Sequence, residues 1–366
     1  MEKVNLLDIC NPKQWKTLST NELIADGKYN VYGANGIIGK YNDYNHENPT
    51  VLITCRGATC GNIHLSKPFS YINGNAMALD NLDETKCIKE YLYYYLKGID
   101  LSNSISGSAQ PQITIQGLKK INVKLYEIEK QQQIVDILSK IESLINYKKN
   151  GICKLNQLIK SQFVEMFGDF NNSKYDKIKL DKIAKVGSSH RVFTTEFVEE
   201  GIPFYRGTEI TMLANGINPQ ECFYISKEHY DRISSDETKP KMNDLLMPSI
   251  CDKGQIWLVD TDRPFYYKDG RVLSISLKKE GINPKYLHYY MKNKTIEEYP
   301  KLGTGSTFAE FKIFLLKDMD IIVPPIELQN NFAIIVEQID KQKFEFEKIL
   351  KKLEELQASL MQEYFE

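Results

Sequence analysis

The most constraining feature of this 366-residue chain is a stretch without proline, Glu129 to Phe167, in which apolar residues recur three, four or seven positions apart. The residues that set the spacing are Ile134, Leu138, Ile141, Ile145, Ile152, Leu155, Ile159 and Met166. Kept over about forty residues, this spacing predicts one long helix with a coiled-coil seam. With a rise of about 1.5 Å per residue, the helix would be about 60 Å long.

A second copy of this stretch ends the chain. At a shift of 198 residues, Ile128-Glu129-Lys130-Gln131 falls on Ile326-Glu327-Leu328-Gln329. Upstream, Lys3–Ile9 matches Lys177–Ile183 at a shift of 174, so the second copy carries 24 more residues than the first. Internal repeats determine an architecture, and this one predicts a globule followed by a long helix, present twice. The extra residues are expected in surface loops.

The repeat divides the chain into a first globule at 1–128, a long helix at 129–168, a second globule at 169–326 and a final helix at 327–366. Patterns typical of short strands and of short helices are mixed in both globules. This mixture predicts an α/β or α+β fold for each of them.

We expect the two long helices to pack antiparallel as a coiled coil. The first carries six Lys against four acidic residues and the second five Lys against nine, so their opposite charges favour pairing slightly. Lys148 and Lys343 interrupt the apolar seams, and Gly151 lies nearby. The packing is therefore expected to be loosest there.

The composition is that of a globular protein. Apolar residues make up 42% of the chain, which is enough for packed cores. The seven cysteines show neither zinc-site spacing nor a disulfide framework, so we expect reduced thiols and a cytoplasmic location. No apolar run is long enough to span a membrane. The net charge of −1 requires that any basic surface be local.

Motifs of catalysis are missing from the sequence. There is no phosphate-binding GxxxxGK[ST] loop, no GxSxG nucleophile elbow, no HExxH zinc motif and no Asn/Asp-Pro-Pro-aromatic motif of an adenine methyltransferase. Glu-x-Lys triplets of nuclease type occur at Glu84-Thr85-Lys86 and Glu237-Thr238-Lys239, but a chain with 26% charged residues contains such triplets by chance. We therefore expect neither an active site nor a metal site.

Both globules carry, on glycine-rich loops, residues of the types that contact base edges. Arginine suits a bidentate contact with guanine, and Asn or Gln suits adenine. The candidate DNA-binding residues are Asn35, Arg56, Asn62, Gln110 and Gln112 in the first globule and Arg191, Arg206 and Lys253 in the second. Gly57, Gly61 and Gly254 are expected to let the backbone approach a phosphate. Taken singly, each of these residues is more typical of an ordinary solvated loop than of a DNA contact.

The order of these features resembles the specificity subunits of Type I restriction–modification systems. The matching segments are Thr54–Gly61, Ile202–Gly207, Gly305–Phe308, Val323–Gln329 and a tyrosine-rich helix after Asn283-Pro284. Together with the repeat, they cover essentially the whole chain. Gln110-Pro111-Gln112 departs from the family pattern, and Ser249–Asp252 lacks the arginine seen at Arg56. These departures bear on which DNA sequence is recognised and not on the resemblance to the family.

The resemblance implies a division of labour. Residues 1–128 and 169–326 would be target-recognition domains, each contacting one half of a split site in double-stranded DNA, and the helices would fix the gap between the halves. The chain would hold no cofactor of its own. Two modification (methyltransferase) subunits would bring S-adenosylmethionine, and restriction (translocase) subunits would bring ATP and Mg.

Two other functions fit the residues alone. One is an interaction scaffold with two binding globules on a coiled-coil spacer and no nucleic acid, which agrees with the net charge of −1. The other is a stand-alone nuclease with an Asp/Glu-x-Lys site, which would cut DNA when a metal ion is present. Binding to duplex DNA that weakens as salt rises would separate a DNA-binding protein from a scaffold.

Overall fold

The computed structural model describes residues 2–107, 110–170, 172–235, 238–278, 281–302 and 309–366. The chain forms two compact units: unit 1 comprises 1–152 and 345–366, and unit 2 comprises 153–344. Each unit therefore contains one globule and parts of both long helices. The family-like segment Gly305–Phe308 lies outside the described residues.

Unit 1 is built from short strands, two very short helices, one ten-residue helix and a long helix that continues into unit 2. In chain order these are β1 (Glu2–Asn5), α1 (Leu6–Ile9), β2 (Asn11–Gln14), β3 (Tyr29–Gly33), β4 (Gly36–Tyr41), β5 (Val51–Thr54), β6 (Ile63–Leu65), β7 (Ser70–Ile72), β8 (Ala76–Asp80), α2 (Lys89–Gly98), β9 (Ile105–Ser106), β10 (Gln112–Ile113), α3 (Ile115–Leu118), β11 (Asn122–Leu125) and α4 (Ile128–Phe167). The main sheet is antiparallel, in the order β2-β8-β5-β6, and a second sheet has the order β4-β3-β7. Two strand pairs, β1-β11 and β9-β10, complete the unit.

Unit 2 has its own elements, and a final helix ends in unit 1. They are β12 (Lys177–Lys179), α5 (Leu180–Ile183), β13 (Ala184–Gly187), β14 (Phe197–Val198), β15 (Ile202–Tyr205), α6 (Gly207–Ala214), β16 (Phe223–Ile225), α7 (Lys227–Ile233), β17 (Leu245–Pro248), β18 (Trp257–Leu258), β19 (Tyr266–Tyr267), β20 (Val272–Leu277), α8 (Pro284–Glu298), α9 (Ile313–Lys317), β21 (Asp320–Ile322) and α10 (Ile326–Phe365). The sheet β13-β20-β17-β18 repeats β2-β8-β5-β6, and β12-β21 repeats β1-β11. The mixed fold and the tandem repeat predicted from the sequence are confirmed.

The extra residues of unit 2 form structure of their own. Residues 34–50 separate β3 from β5, whereas residues 206–244 separate β15 from β17 and contain α6, β16 and α7. Ile210 of α6 is fully buried, in a cluster with Leu246 and Trp257. The insertion therefore covers one face of the main sheet and is not only a surface loop.

Two helices of 40 residues each, α4 and α10, confirm the helices predicted from the apolar spacing. In unit 1 they run antiparallel. The hydroxyl of Tyr126, just before α4, donates to the carbonyl of Tyr364 near the end of α10 (3.1 Å). Gly151, near the middle of α4, lies instead against Phe346.

The packing beside Lys148 and Gly151 is tight, so the prediction of loose packing was wrong there. A Cβ atom added to Gly151 would lie 2.5 Å from the ring of Phe346. The ammonium group of Lys148 covers the same ring, 4.2 Å from its centroid. A glycine leaves room for the ring, and the cation–π contact replaces the missing apolar partner. Lys343, in unit 2, pairs with Asp340 of its own helix (3.3 Å).

The aromatic residue at the end of each long helix enters a core. Phe365 is 3% exposed in unit 1, and its ring centroid lies 5.7 Å from that of Tyr91 and 5.4 Å from that of Tyr95 on α2. Phe167 repeats this position in unit 2, with centroids 5.2 Å from Tyr286 and 5.5 Å from Phe332. Each core is thus completed by a helix that begins in the other unit.

A buried glutamine holds the first turn of each long helix. Gln131 is fully buried; its Nε2 donates to the carbonyls of Lys86 and Tyr126 (both 2.8 Å), and its Oε1 accepts the N–H of Ile88 (2.9 Å). These bonds tie α4 to the residues before α2. In unit 2 the same arrangement joins Gln329 to Gly281, Pro324 and Asn283.

Replacing Phe365 by Ala should destabilise unit 1 by about 3–5 kcal/mol, because it leaves a cavity between Tyr91 and Tyr95. The matched control is Phe344→Ala, since Phe344 lies on the same helix but is 63% exposed. The two tryptophans, Trp15 in unit 1 and Trp257 in unit 2, allow the units to be followed separately. In a Trp257→Phe background, urea unfolding monitored by Trp15 should shift for Phe365→Ala only; equal midpoints for both variants would contradict this packing.

Candidate nucleic-acid interface

Three loops of unit 1 meet beside the end of β5. Asn35 is exposed in the turn between β3 and β4. The carbonyl of Ala34 in this turn accepts hydrogen bonds from the hydroxyls of Thr54 (2.7 Å) and Thr59 (2.9 Å). These bonds hold Asn35 next to residues 55–62, the loop that joins β5 to β6.

The third loop, which contains β10, pairs with the same segment. Arg56 and Gln112 form an isolated antiparallel bridge. The N–H of Ile113 donates to the carbonyl of Cys55 (3.0 Å) and fixes this register. Arg56, Gln110 and Gln112 are all exposed, so their polar groups are available to a ligand.

Asn62 completes this surface. Its carbonyl accepts the N–H of Thr54 (2.8 Å), and its side chain is exposed. Gly57 and Gly61 have φ angles of +87° and +93°, so the turn itself requires glycine at both positions. The adjoining loops bring together all five unit 1 candidates, which we call the unit 1 face: Asn35, Arg56, Asn62, Gln110 and Gln112.

The equivalent part of unit 2 is a cleft of about 680 Å³, which we call the unit 2 cleft. It lies between the start of α6, the loop after β17 and the turn between β19 and β20. Three cationic side chains line it, Arg206, Lys268 and Arg271. Thr208, Thr211 and Ser249 add hydroxyl groups, and Met212, Pro248 and Ile250 add apolar surface. This mixture is suited to a ligand with polar edges and an apolar face.

Arg206 is held on two sides. Its Nε and Nη2 donate to the two carboxylate oxygens of Glu209 (3.1 and 2.7 Å), and its guanidinium carbon lies 4.6 Å from the ring centroid of Phe223. Burial would raise the pKa of the Glu209 carboxyl, but hydrogen bonds from the side chain and backbone of Arg206 outweigh burial and lower that pKa. Glu209 is therefore ionised at neutral pH.

Two unit 2 candidates lie outside the cleft lining. Arg191 is exposed after β13, with its guanidinium carbon 5.4 Å from the ring centroid of Phe193. Lys253 is exposed in the loop between β17 and β18. Its neighbour Gly254 is buried, and a Cβ there would lie 2.6 Å from the carbonyl oxygen of Lys292. The prediction that Gly254 approaches a phosphate is therefore wrong, because this glycine makes room for α8.

Sequence reasoning missed three exposed or cleft-lining residues, Asn75 in unit 1 and Lys268 and Arg271 in unit 2. The carbonyl of Asn75 accepts the N–H of Cys55 (3.1 Å), and the carbonyl of Arg271 accepts the N–H of Ser249 (2.8 Å). Both residues thus lie beside the loop that follows β5 or β17. All three residues lie in glycine-containing turns, which the sequence does show. That these turns lie beside the candidate loops depends on the pairing of β8 with β5 and of β20 with β17, which the sequence does not show.

Within the described ranges, no group of three or more His, Cys, Asp or Glu side chains is placed to hold a metal ion. In the same ranges, no helix is long and apolar enough to cross a membrane.

Of the nuclease-like triplets, Glu84 pairs with Lys89 (3.0 Å) and Lys86 with Asp83 (3.1 Å). Glu237 lies outside the described residues.

Comparison with known proteins assigns the chain to a family. Residues 1–157 match the family described as Type I restriction modification DNA specificity domain. The Type I restriction enzyme MjaIX specificity subunit of Methanocaldococcus jannaschii is 33% identical over 336 residues, which cover 82% of this chain and 72% of that protein. The MjaVIII specificity subunit of the same organism is 23% identical over 335 residues, covering 83% of this chain and 76% of that protein.

A solved structure has the same fold. The S subunit of the Type I restriction–modification system of M. genitalium gives a TM-score of 0.66 at 18% identity, over 98% of this chain and 94% of that chain. The chain belongs to the specificity subunits of Type I restriction–modification systems, the family that its sequence motifs resemble. Its function within that family is the recognition of DNA sequence.

If Arg56 contacts a base, Arg56→Ala should cost about 1–3 kcal/mol of binding and relax one position of one half-site. Binding to a panel of duplexes with single base-pair changes measures this. Lys67→Ala, at an exposed position outside the unit 1 face, is the control and should leave the pattern of preference unchanged. Combined with a substitution of Arg206, the effects should add, because the two residues belong to different units with separate cores, and substitutions that share no partners are usually independent. An even loss over all duplexes would assign Arg56 to a phosphate.

Proposed function

We propose that this chain recognises a split site in double-stranded DNA, with each unit contacting one half-site. The observation that carries the proposal is the repetition of β2-β8-β5-β6 as β13-β20-β17-β18. In both sheets, polar side chains lie on the loop after β5 or β17 and on the turn before the strand that pairs with it, β8 or β20. The unit 1 face and the unit 2 cleft share the segment after β3 or β15 and the loop after β5 or β17, and they carry different residues there, as two half-sites of different sequence require.

The chain acts in this proposal without catalysis or a cofactor of its own. Two modification subunits bring S-adenosylmethionine and methylate the site, and restriction subunits bring ATP and Mg. Membership of the family supports this division of labour.

The surfaces of the long helices support docking of the modification subunits. In unit 1, α4 leaves Ile137, Leu144 and Tyr147 40%, 48% and 67% exposed. Apolar side chains at such spacing on a helix that already packs on one side are typical of protein interfaces. We assign this exposed stripe to a modification subunit.

A direct test combines DNA binding with mapping of methylated sites in the source genome. The full chain in its complex should bind duplex DNA with an affinity that falls as salt rises, and the genome should carry one methylated motif with unspecified bases between two halves. No binding at any salt would favour the scaffold. Metal-dependent cleavage by the chain alone would favour the nuclease.

Lengthening both long helices by one heptad should lengthen the gap and leave both half-site sequences unchanged. The insertions belong beside the contact of Gly151 with Phe346, because a seven-residue insertion in each helix keeps the apolar seam in register. Selection from a DNA library with variable gap length measures the result.

The control is the same insertion in α4 alone, which mismatches the seam and should weaken binding to every gap length. Full binding of the doubly lengthened chain to DNA with the original gap would show that the helices do not set the gap length.

A further inference from the structure

We infer that Arg206 reads a guanine in the half-site bound by unit 2, and that Glu209 and Phe223 are positioning residues that hold its guanidinium for this contact. The inference rests on the proposed function, since it specifies a base within the proposed half-site. Arg206 differs from the other candidate residues because its guanidinium contacts both a carboxylate, at two points, and an aromatic ring.

The two bonds to Glu209 leave a second edge of the guanidinium open. Nε and one proton of Nη2 are engaged by the carboxylate. A guanidinium has five N–H groups, so Nη1 and the other proton of Nη2 remain for a ligand. This is the edge that fits O6 and N7 of guanine in a bidentate contact. The side chain of Arg206 is 47% exposed and lines the unit 2 cleft, so DNA can approach it.

The guanidinium is backed by a column of aromatic rings. Its central carbon lies over the Phe223 ring, 4.6 Å from the centroid, and the ring of Phe223 stacks on that of Phe197 with centroids 4.6 Å apart and planes at 17°. Phe197 in turn contacts the fully buried Phe204, at 5.2 Å between centroids. The cation is thereby connected to the core of unit 2. Fixing the fork before binding reduces the side-chain entropy that a specific contact costs.

The carboxylate that holds Arg206 is itself fixed. Glu209 is 3% exposed and also accepts the backbone N–H of Arg206 (2.8 Å). A buried charge of this kind is stable only while its partner is present. At the equivalent position of unit 1, Gly33 follows Tyr32 where Arg206 follows Tyr205, so this arrangement is not repeated there. The contact made through Arg206 therefore belongs to the half-site bound by unit 2.

The test is selection from a duplex library randomised over the half-sites, using the complex purified through a tag on this chain. The wild type should select guanine at one position of one half-site. Arg206→Lys keeps the charge beside Glu209 but loses the planar fork. It should reduce the guanine preference at that position by about tenfold to a hundredfold and leave the other positions unchanged. Glu209→Gln and Phe223→Leu should reduce the same preference by a smaller factor.

Two further variants separate this role from a structural one. Arg206→Ala alone leaves Glu209 buried and unpaired, so the double variant Arg206→Ala with Glu209→Gln is used to remove the base contact without that charge. Arg232→Ala is the matched control, because Arg232 on α7 is an exposed arginine that also pairs with a glutamate, Glu196 before β14 (3.5 Å). This variant should leave every position unchanged. The double variant should fold with a melting temperature near that of the wild type and lack the guanine preference.

Three results would overturn the inference: an unchanged guanine preference in Arg206→Lys and the double variant, an even loss at all positions, or selection of a base other than guanine at the affected position. If the wild type selects no sequence from the library, the proposed function itself fails, which is a different outcome.

Discussion

The aromatic residue at the end of each long helix is the contact on which the rest of the molecule depends. Phe365 closes the core of unit 1 against α2, and Phe167 closes that of unit 2 against α8. Gly98, at the end of α2, is required because a Cβ there would lie 2.7 Å from the Phe365 ring. Neither globule can bury its tyrosine-rich helix fully with its own repeat alone. The two copies are therefore coupled in folding, although their recognition loops are free to diverge.

The buried glutamines join each globule to a long helix through contacts that do not involve the recognition loops. Gln131 and Gln329 are fully buried, and each bonds two carbonyls and one N–H; a buried polar group left without such partners costs about 1–3 kcal/mol. Their contacts lie at the base of each globule, where a long helix begins. Arg56 and Arg206 lie elsewhere, just after β5 and β15. Sequence change in these loops thus leaves the joint between globule and helix intact.

Much of this architecture could be predicted from the sequence, because periodicity and repetition are local properties. The shift of 198 residues and the apolar spacing give α4 and α10 nearly to the residue. Contacts between distant segments could not be predicted in this way. The close approach of Phe346 to Gly151 depends on the relative register of two helices, and the burial of Gly254 depends on where α8 packs. Arg271 was missed for the same reason, since only the pairing of β20 with β17 brings it beside Ser249.

The pairing of cations with acids in the unit 2 cleft explains how a chain with a net charge of −1 can recognise DNA. Arg206 is paired with Glu209, Arg271 with Glu310 (3.0 Å) and Lys268 with Asp269 (3.6 Å). Each acid cancels the long-range field of its cation but leaves N–H groups free for a base edge. Such a cleft gains little from phosphates, whose attraction depends on unpaired charge. Under the proposed function, this cleft therefore contributes chiefly the discrimination between sequences, and the non-specific affinity comes from phosphate contacts outside it.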